Sequence, residues 1–305
     1  TIVTEVTIPD SISKINAYAF KGWHSVKEFY IPNTVTNIGS YVFEDLDAII
    51  FVNAASKPSG WNSSWNYTNC PVVWGYAGVR GITDDGYVWA QTSSNTITII
   101  KYQGEASEIV IPSRINDCTV THIAHKAFSN NQTITSVFIP ETIIEIGASA
   151  FYKCENIATV YYDGNINSWC NIDFSSSASN PICYADSFYI DNVLITEVFF
   201  DSNITKIKSY SFSVYEKLVA VSIPATVTSI EEDAFNGCKL VISYVESASR
   251  PSGWNYSWSD STLVYWGVAQ SNIIVIDGVE YILANGEITL TRIVDKTLTS
   301  VIVPN

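Results

Sequence analysis

A motif that recurs with a period of 23 residues is the feature that most restricts how this 305-residue chain can fold. Each copy reads Val or Ile, two further residues, Ile, and then a Phe five residues after that Ile, usually preceded by a small residue. The Phe residues pair at a spacing of 23, as in 43−20, 151−128 and 235−212. This period is typical of repeats that stack into a solenoid, each coil supplying one short strand and a return segment. The six copies are Ile12-Ile15-Phe20, Val35-Ile38-Phe43, Val120-Ile123-Phe128, Ile143-Ile146-Phe151, Ile204-Ile207-Phe212 and Val227-Ile230-Phe235.

The segment before the second copy shows how one coil is expected to be built. Its residues alternate, so Phe29 and Ile31 are predicted to point into the solenoid and Glu28 and Tyr30 to point outward. Pro32 should end this strand, because proline cannot donate a hydrogen bond to a neighbouring strand. The small residue before each Phe is expected to let neighbouring coils approach closely.

A longer repeat is superimposed on the coils. Trp74 recurs as Trp266, 192 residues later, and the Pro-Ser-Gly-Trp-Asn run at 58–62 recurs at 251–255 with an offset of 193. We interpret the chain as one module plus the first part of a second, taken from a longer array. The pattern predicts coils with a Trp-rich insert over 1–75, a β-hairpin insertion over 76–108, coils over 109–165, an irregular insertion over 166–192, a second copy of the coils and Trp-rich insert over 193–268, and a second hairpin leading into a truncated coil over 269–305.

Composition narrows the classes of function. Hydrophobic residues make up 47% and charged residues 15% of the chain, so there is enough apolar material for a core. The net charge of −14 disfavours binding to nucleic acid or to an anionic membrane surface. No apolar run reaches the roughly 18 residues of a membrane span. The sequence has no Met and no signal peptide, so we expect it to begin inside a longer precursor.

The six cysteines do not form a recognisable disulfide or zinc pattern. Cys154 and Cys238 each lie three residues after a repeat Phe, where a small buried hydrophobic residue is expected. We predict free thiols, with Cys170 and Cys183 as the pair to test for a bridge.

Residues with catalytic or metal-binding chemistry are sparse. His122 and His125 form the only His pair, but no acidic or Cys residue completes a ligand set at metal-binding spacing, so we predict a solvent-facing pair and no metal. The acidic turns at 84–86, 163–165 and 277–278 do not continue into a calcium-binding loop. No nucleophile, metalloprotease or phosphate-loop motif is present. We therefore predict a protein that is not an enzyme and has no cofactor.

Several runs resemble the BspA-like leucine-rich repeat family. They are Ile-Pro, Val-Thr-x-Ile and Ala-Phe-x-x-Cys in register, the Pro-Ser-Gly-Trp-Asn insert with its Val-Val-Trp-Gly, and the Tyr-Tyr-Asp-Gly to Ser-Asn-Pro insert. The resemblance covers nearly the whole chain. It implies a mostly β leucine-rich repeat solenoid of α/β type, a right-handed superhelix of 23-residue coils with short parallel strands, decorated by the hairpins and Trp-rich insertions. It also implies a secreted or cell-surface bacterial protein used in adhesion, and it supplies no catalytic residues.

The outward strand position before the Ile of Ile-Pro is the candidate contact surface. Aromatic residues there would form an apolar strip for a ligand, although aromatic residues also simply suit strands. The position is occupied by Thr7, Tyr30, Val110, Phe138, Tyr161, Phe199, Ser222 and Ile302. We take Tyr30, Phe138, Tyr161 and Phe199, with Glu28 beside Tyr30, as candidate ligand-binding residues.

The Trp-rich inserts are the alternative site. Trp61, Trp65, Trp254 and Trp258 suggest platforms for carbohydrate, but their recurrence at one place in each module also fits a structural plug. The leading hypothesis is a non-enzymatic extracellular adhesion module that binds a protein or glycan ligand, without nucleic acid or a membrane span. The alternatives are a carbohydrate-binding appendage and a structural spacer.

Overall fold

The computed structural model describes residues 2–93, 95–238, 241–260, 263–284, 287–295 and 297. They form two compact units: the first comprises Thr1–Gly164 with Ile172–Asp191, the second Asn165–Asn171 with Asn192–Asn305. The truncated coil predicted around Ile302 lies outside the described residues. Among the described residues, no helix has the length and apolar character needed to cross a membrane.

The regular secondary structure of the first unit is almost entirely short strands, as predicted. Two 3-10 turns, Ser177–Ser179 and Pro181–Cys183, interrupt them. The strands are β1 Glu5–Thr7, β2 Lys14–Ile15, β3 Glu28–Ile31, β4 Asn37–Ile38, β5 Ile49–Val52, β6 Val72–Trp74, β7 Arg80–Ile82, β8 Tyr87–Gln91, β9 Thr96–Tyr102, β10 Glu108–Val110, β11 Arg114–Ile115, β12 Cys118–Ile123, β13 Ser136–Pro140, β14 Glu145–Ile146, β15 Thr159–Asp163, β16 Asp173–Phe174 and β17 Ser187–Ile190.

Parallel strands from successive coils build the faces of this solenoid. One sheet has the order β1-β3-β5-β6, and β10, β13, β15 and β17 follow one another in another. On the return side, β2 pairs with β4, and β12 pairs with β14, which in turn pairs with β16. The burial of β3 alternates as predicted, with Phe29 and Ile31 buried and Glu28 and Tyr30 partly exposed. The pairing of Thr7 with Tyr30 places these two predicted outward positions side by side in one row.

Each repeat turns through a left-handed backbone residue two positions before its Phe. This conformation is uncommon for residues other than glycine, and none of the six is glycine. They are Tyr18 (φ 60°), Tyr41 (φ 56°), Lys126 (φ 58°), Ser149 (φ 57°), Tyr210 (φ 60°) and Asp233 (φ 54°). The turn is therefore a part of the repeat that its hydrophobic pattern does not reveal.

The small residue before each Phe lies at the contact between coils. The Phe128 amide donates to the Ala150 carbonyl of the next coil at 2.8 Å, and Phe212 donates likewise to Ala234 at 2.8 Å. Ala150 and Ala234 are fully buried. The rings of Phe128 and Phe151 then stack with their centroids 4.8 Å apart. Close coil approach and a continuous Phe column thus arise from the same Ala-Phe pair.

The first hairpin joins the solenoid rather than standing apart from it. Its strands β7, β8 and β9 are antiparallel, with Gly86 at a φ of 90° in the turn before β8. Strand β9 also pairs in parallel with β12, so the sheet runs β16-β14-β12-β9-β8-β7. One hairpin strand therefore serves as a return strand of the solenoid.

The segment 166–192, predicted to be an irregular insertion, continues both ladders. Strand β16 pairs with β14 and β17 pairs with β15, so another coil is completed here. Tyr189 follows Tyr161 by 28 residues instead of 23, because the return segment is longer. This lengthening hides the coil from a search at fixed period.

The second unit repeats this plan. It contains α1 Ile166–Trp169, the one α-helix among the described residues, and the 3-10 turn Gln270–Asn272. Its parallel sheet has the order β19-β21-β23-β24, β20 pairs with β22, and β25-β26-β27 is an antiparallel sheet. The strands are β18 Val193–Leu194, β19 Glu197–Phe199, β20 Lys206–Ile207, β21 Ala220–Ile223, β22 Ser229–Ile230, β23 Ile242–Val245, β24 Val264–Trp266, β25 Ile273–Ile276, β26 Val279–Ala284 and β27 Glu287–Ile293.

Candidate functional site

Three outward aromatic rings form a continuous stack on strands β13, β15 and β17. Phe138 pairs with Tyr161, and Tyr161 with Tyr189, in the parallel register. The ring centroids of Phe138 and Tyr161 are 4.4 Å apart with planes at 8°, and those of Tyr161 and Tyr189 are 5.1 Å apart at 16°. All three rings are partly exposed, and Val110, paired with Phe138 on β10, is 64% exposed. We call Phe138, Tyr161 and Tyr189 the aromatic ladder.

A row of small polar residues runs beside the aromatic ladder. Ser136, Thr159 and Ser187 lie two positions before its three members and therefore on the same face of the sheet. The row ends on Glu108, which pairs with Ser136. Each of the three hydroxyl residues is partly exposed. An apolar stripe with a hydroxyl row along one side is thus presented by a rigid parallel sheet.

Tyr189 belongs to the ladder although the sequence pattern did not single it out. It lies in the segment treated as an insertion, and no Ile-Pro follows it to mark the outward position. The alternation Phe188-Tyr189-Ile190 was the available signal, and the burial of Phe188 and Ile190 on either side of Tyr189 agrees with it.

Tyr30 and Glu28 lie on the outward face of β3 but are engaged by the first hairpin. The Arg80 guanidinium forms an ion pair with Glu28, whose other carboxylate oxygen accepts a hydrogen bond from the Tyr30 hydroxyl at 2.9 Å. The Tyr30 ring stacks on Phe51 with centroids 4.9 Å apart. Burial, followed by the hydrogen bond to Glu28, raises the pKa of Tyr30. This outward face is partly covered, since Val88, Ala90 and Ile100 of the hairpin pack on Phe51.

Phe199 remains 43% exposed at the edge of the second unit's parallel sheet. Further along the same row, Ser222 and Tyr244 are buried. Ile282 of β26 packs against Tyr244, so the second hairpin covers this face as the first covers β5. The four predicted aromatic positions therefore differ: Phe138 and Tyr161 stack together, while Tyr30 and Phe199 lie apart from them on other sheets.

The four Trp residues of the alternative site are buried, and this corrects the idea of an exposed platform. Trp61 forms a bridge with Ile38 in the column that begins with Ile15, and its indole N–H donates to the Val35 carbonyl at 3.0 Å. Trp254 does the same with Ile230 and the Val227 carbonyl at 2.9 Å. Trp65 and Trp258, also buried, pack on the repeat Phe rings, with centroids 5.7 and 5.9 Å away. Each Trp-rich insert is therefore a further coil in which Trp takes the place of Ile and Phe.

The two residues of the histidine pair line the same cavity. His122 lies 3.7 Å from the Glu145 carboxylate and is partly exposed. His125 is likewise partly exposed, although the burial of its ring lowers its pKa to about 4. No group of three His, Cys, Asp or Glu side chains in the described part of the chain could hold a metal ion.

All six cysteines carry free thiols. Cys154 and Cys238 are fully buried, and their thiols point to the carbonyls of Phe128 and Phe212 at 3.1 and 3.0 Å. Burial raises the pKa of Cys154 to about 11 and that of Cys238 to about 12. These residues are core positions of the repeat, as the spacing predicts.

Stacked 23-residue coils, each with a parallel outer strand and an interior Phe column, define a leucine-rich repeat solenoid. The family model described as the BspA type leucine-rich repeat region matches in six copies, over residues 1–70, 97–187 and 182–259. These ranges cover well over half of the sequence, so the chain belongs to the BspA-type leucine-rich repeat family.

Solved structures give matches at low identity. A T. pallidum leucine-rich repeat protein is 19% identical with a TM-score of 0.34, over 55% of this chain and 78% of that one. A leucine-rich cell surface protein from Faecalibacterium prausnitzii A2-165 is 24% identical with a TM-score of 0.36, over 71% and 62%. The pneumococcal vaccine antigen PcpA is 16% identical with a TM-score of 0.35, over 86% and 79%. Comparison with curated protein sequences gives no match.

Proposed function

We propose that this chain is a non-enzymatic, extracellular binding module that attaches to a protein partner through the aromatic ladder. The observation that carries the proposal is the unbroken stack of Phe138, Tyr161 and Tyr189 on one parallel sheet. Aromatic residues are enriched in the centres of protein interfaces, and polar residues surround them. The hydroxyl row supplies such surroundings here, and the exposed Val110 extends the apolar stripe. An extracellular location follows from the family resemblance and is part of the proposal.

The geometry of the stack favours a protein partner over a sugar. Ring planes within 8° and 16° of each other, at centroid distances of 4.4 and 5.1 Å, mean that neighbouring rings occupy each other's faces. The ring edges, including the two tyrosine hydroxyls, are then the parts left for a ligand. A sugar stacks on an open face, whereas apolar side chains and backbone carbonyls pack well against edges and hydroxyls.

The remaining candidates contribute unequally to this surface. Glu28 and Tyr30 are already bound to each other and to Arg80, so we leave them out of the proposed contact. Phe199 is more exposed than any ladder ring, but it lies in the other unit. We propose it as a separate, smaller contact position.

The test is a binding screen of the full chain against extracellular-matrix proteins, mucins and a glycan array, using immobilised ligands. Tyr161→Lys places a charge at the centre of the ladder, while the aliphatic part of the lysine side chain still covers the sheet. A second variant, in which Phe138, Tyr161 and Tyr189 are all replaced by Ala, removes the ladder. Loss of a central interface aromatic costs about 2 kcal/mol or more, which corresponds to a roughly 30-fold weaker Kd.

The matched control is Tyr152→Ala, an exposed tyrosine of the same unit that lies outside the ladder. It should bind as the unaltered chain does, and thermal melts should show that Tyr161→Lys remains folded. Partner binding that survives in both ladder variants would refute the proposed surface. Binding to glycans alone would replace it by carbohydrate recognition, and no binding to any ligand would favour a structural spacer.

A further inference from the structure

A cavity of about 420 Å³ lies within the first unit. One wall comes from the Trp-rich coil, with Asn69, Trp74 and Gly75. The opposite wall is the sheet of β9, β12 and β14, with Thr98, His122 and Glu145. The volume is in the range of small-molecule sites, which run from about 300 to 1,000 Å³.

The walls of the cavity combine hydrogen-bonding side chains with one aromatic ring. Asn69, Thr92 and Thr98 offer an amide and two hydroxyls. The Trp74 indole is partly exposed and is supported from behind by Trp61, with centroids 5.6 Å apart. A ring that is fixed in place, with polar groups around it, suits a ligand that has both an apolar face and several hydroxyls.

His125 lines this cavity as an uncharged side chain. Its Nε2 is buried and has no hydrogen-bond partner among the described residues. Burial, together with the nearby Lys126 ammonium, lowers the pKa of His125 to about 4. The imidazole is therefore neutral at physiological pH and adds no positive charge to the cavity.

The charge of the cavity argues for an uncharged ligand. Glu145 is its one carboxylate, and the described lining residues include no Lys or Arg. His122 lies 3.7 Å from that carboxylate, so it already has a charged neighbour. A phosphate or carboxylate ligand would find no cation to pair with, and an anion near Glu145 would be repelled.

We propose that this cavity binds a neutral sugar residue, a hexose or an N-acetylhexosamine, stacked on Trp74 and hydrogen-bonded to polar side chains of the two walls, Asn69 and Thr98 among them. The site is separate from the ladder, so sugar binding and protein binding are independent properties of the chain. It also differs from the platform suggested by the Trp-rich inserts, because Trp61 and Trp65 are buried behind Trp74 and do not meet the ligand.

The test uses the three histidines as reporters in nuclear magnetic resonance spectra of the ¹⁵N-labelled full chain. Glucose, galactose, mannose and N-acetylglucosamine are titrated separately to tens of millimolar, because a single sugar in such a site binds with a Kd of about 1 mM. At least one sugar should shift the ring signals of His125 and His122 in a saturable way. His24, which does not line the cavity, is the internal control.

Two variants separate this cavity from other sites. Ala55 is exposed at its rim, so Ala55→Trp should obstruct the cavity without removing a core contact, and binding should weaken at least 10-fold. Ser56→Trp adds the same ring at an exposed neighbour that does not line the cavity and should leave the Kd unchanged. The Tyr161→Lys ladder variant should also bind sugar normally. The proposal is overturned if no sugar shifts His125, or if the shifts persist in Ala55→Trp.

Discussion

The buried charge cluster beneath the second hairpin allows a quantitative test of how the hairpin is held. Arg292 donates to the Glu280 carboxylate at 2.9 and 3.1 Å and to Glu197 of the solenoid sheet at 2.7 Å. Tyr244 and Thr291 also donate to Glu280. The side chains of Glu280 and Arg292 are only 3% and 16% exposed. Removing one partner of such a buried pair costs about 3 to 5 kcal/mol, because the other charge is left buried and unbalanced.

Removing either partner of the pair should therefore destabilise the hairpin by a different amount. Arg292→Met leaves Glu280 with only the neutral donors of Tyr244 and Thr291, so we expect a loss of about 3 kcal/mol at pH 7. Glu280→Gln leaves Arg292 paired with Glu197, so we expect a loss of about 1 kcal/mol. Combining both changes should cost less than Arg292→Met alone, since no unbalanced charge remains. Hydrogen exchange of the β26 amides measures these opening free energies within the second unit.

The pH dependence should change sign in the Arg292→Met variant. In the unaltered chain, the hydrogen bonds from Arg292, Tyr244 and Thr291 outweigh burial and lower the pKa of Glu280. That stabilisation is present above the ordinary carboxyl pKa and is lost as the pH falls through the lowered value. Without Arg292, burial dominates and raises this pKa, so the variant should regain stability from pH 7 to about 5. A Glu280→Gln loss as large as that of Arg292→Met, or an unchanged pH response, would refute this reasoning.

Three further changes test the repeat itself. Trp254→Phe leaves the buried Val227 carbonyl without its hydrogen-bond donor and should lower the free energy of unfolding by about 2 kcal/mol in a denaturation assay. The control Trp23→Phe, at an exposed position, should change that free energy by less than about 0.5 kcal/mol. Ser149→Gly should stabilise the folded chain by about 0.5 kcal/mol, because a left-handed φ suits glycine, whereas Ser149→Val should destabilise it. Equal destabilisation by the two substitutions would contradict the turn assignment. Cys154 and Cys238 should resist thiol reagents at pH 7 until the chain is unfolded, and rapid native labelling would show that the interior column is open.

Much of the solenoid could be predicted because its interior pattern is local and repeats in register. The spacing of Ile15, Phe20 and their counterparts gives the coil length, and the alternation around Phe29 gives the inward and outward faces. The hairpins could also be recognised, because Asp-Gly pairs mark their turns. At the predicted turn, Asp277 and Gly278 adopt positive φ values of 50° and 75°.

The features that could not be predicted from the sequence depend on contacts between distant segments. The coverage of Phe51 and Tyr244 by hairpins is tertiary, so identical outward positions have different exposure on different sheets. Trp61 replaces Ile in its column, which an aliphatic pattern does not recognise, and the longer return segment before Tyr189 breaks the period. The cavity at His125 arises where two stacks of coils meet, and no local motif marks such a meeting.

The most direct test of the proposed binding surface is hydroxyl-radical footprinting of the full chain, alone and with the protein partner that the screen identifies. We expect oxidation of Phe138, Tyr161 and Tyr189 in the free chain and marked protection of all three when the partner is bound. Buried Tyr244 should remain protected in both states, and exposed Tyr152 should be oxidised equally in both. Protection that falls elsewhere, with the aromatic ladder oxidised as before, would contradict the assignment of the ladder as the binding surface.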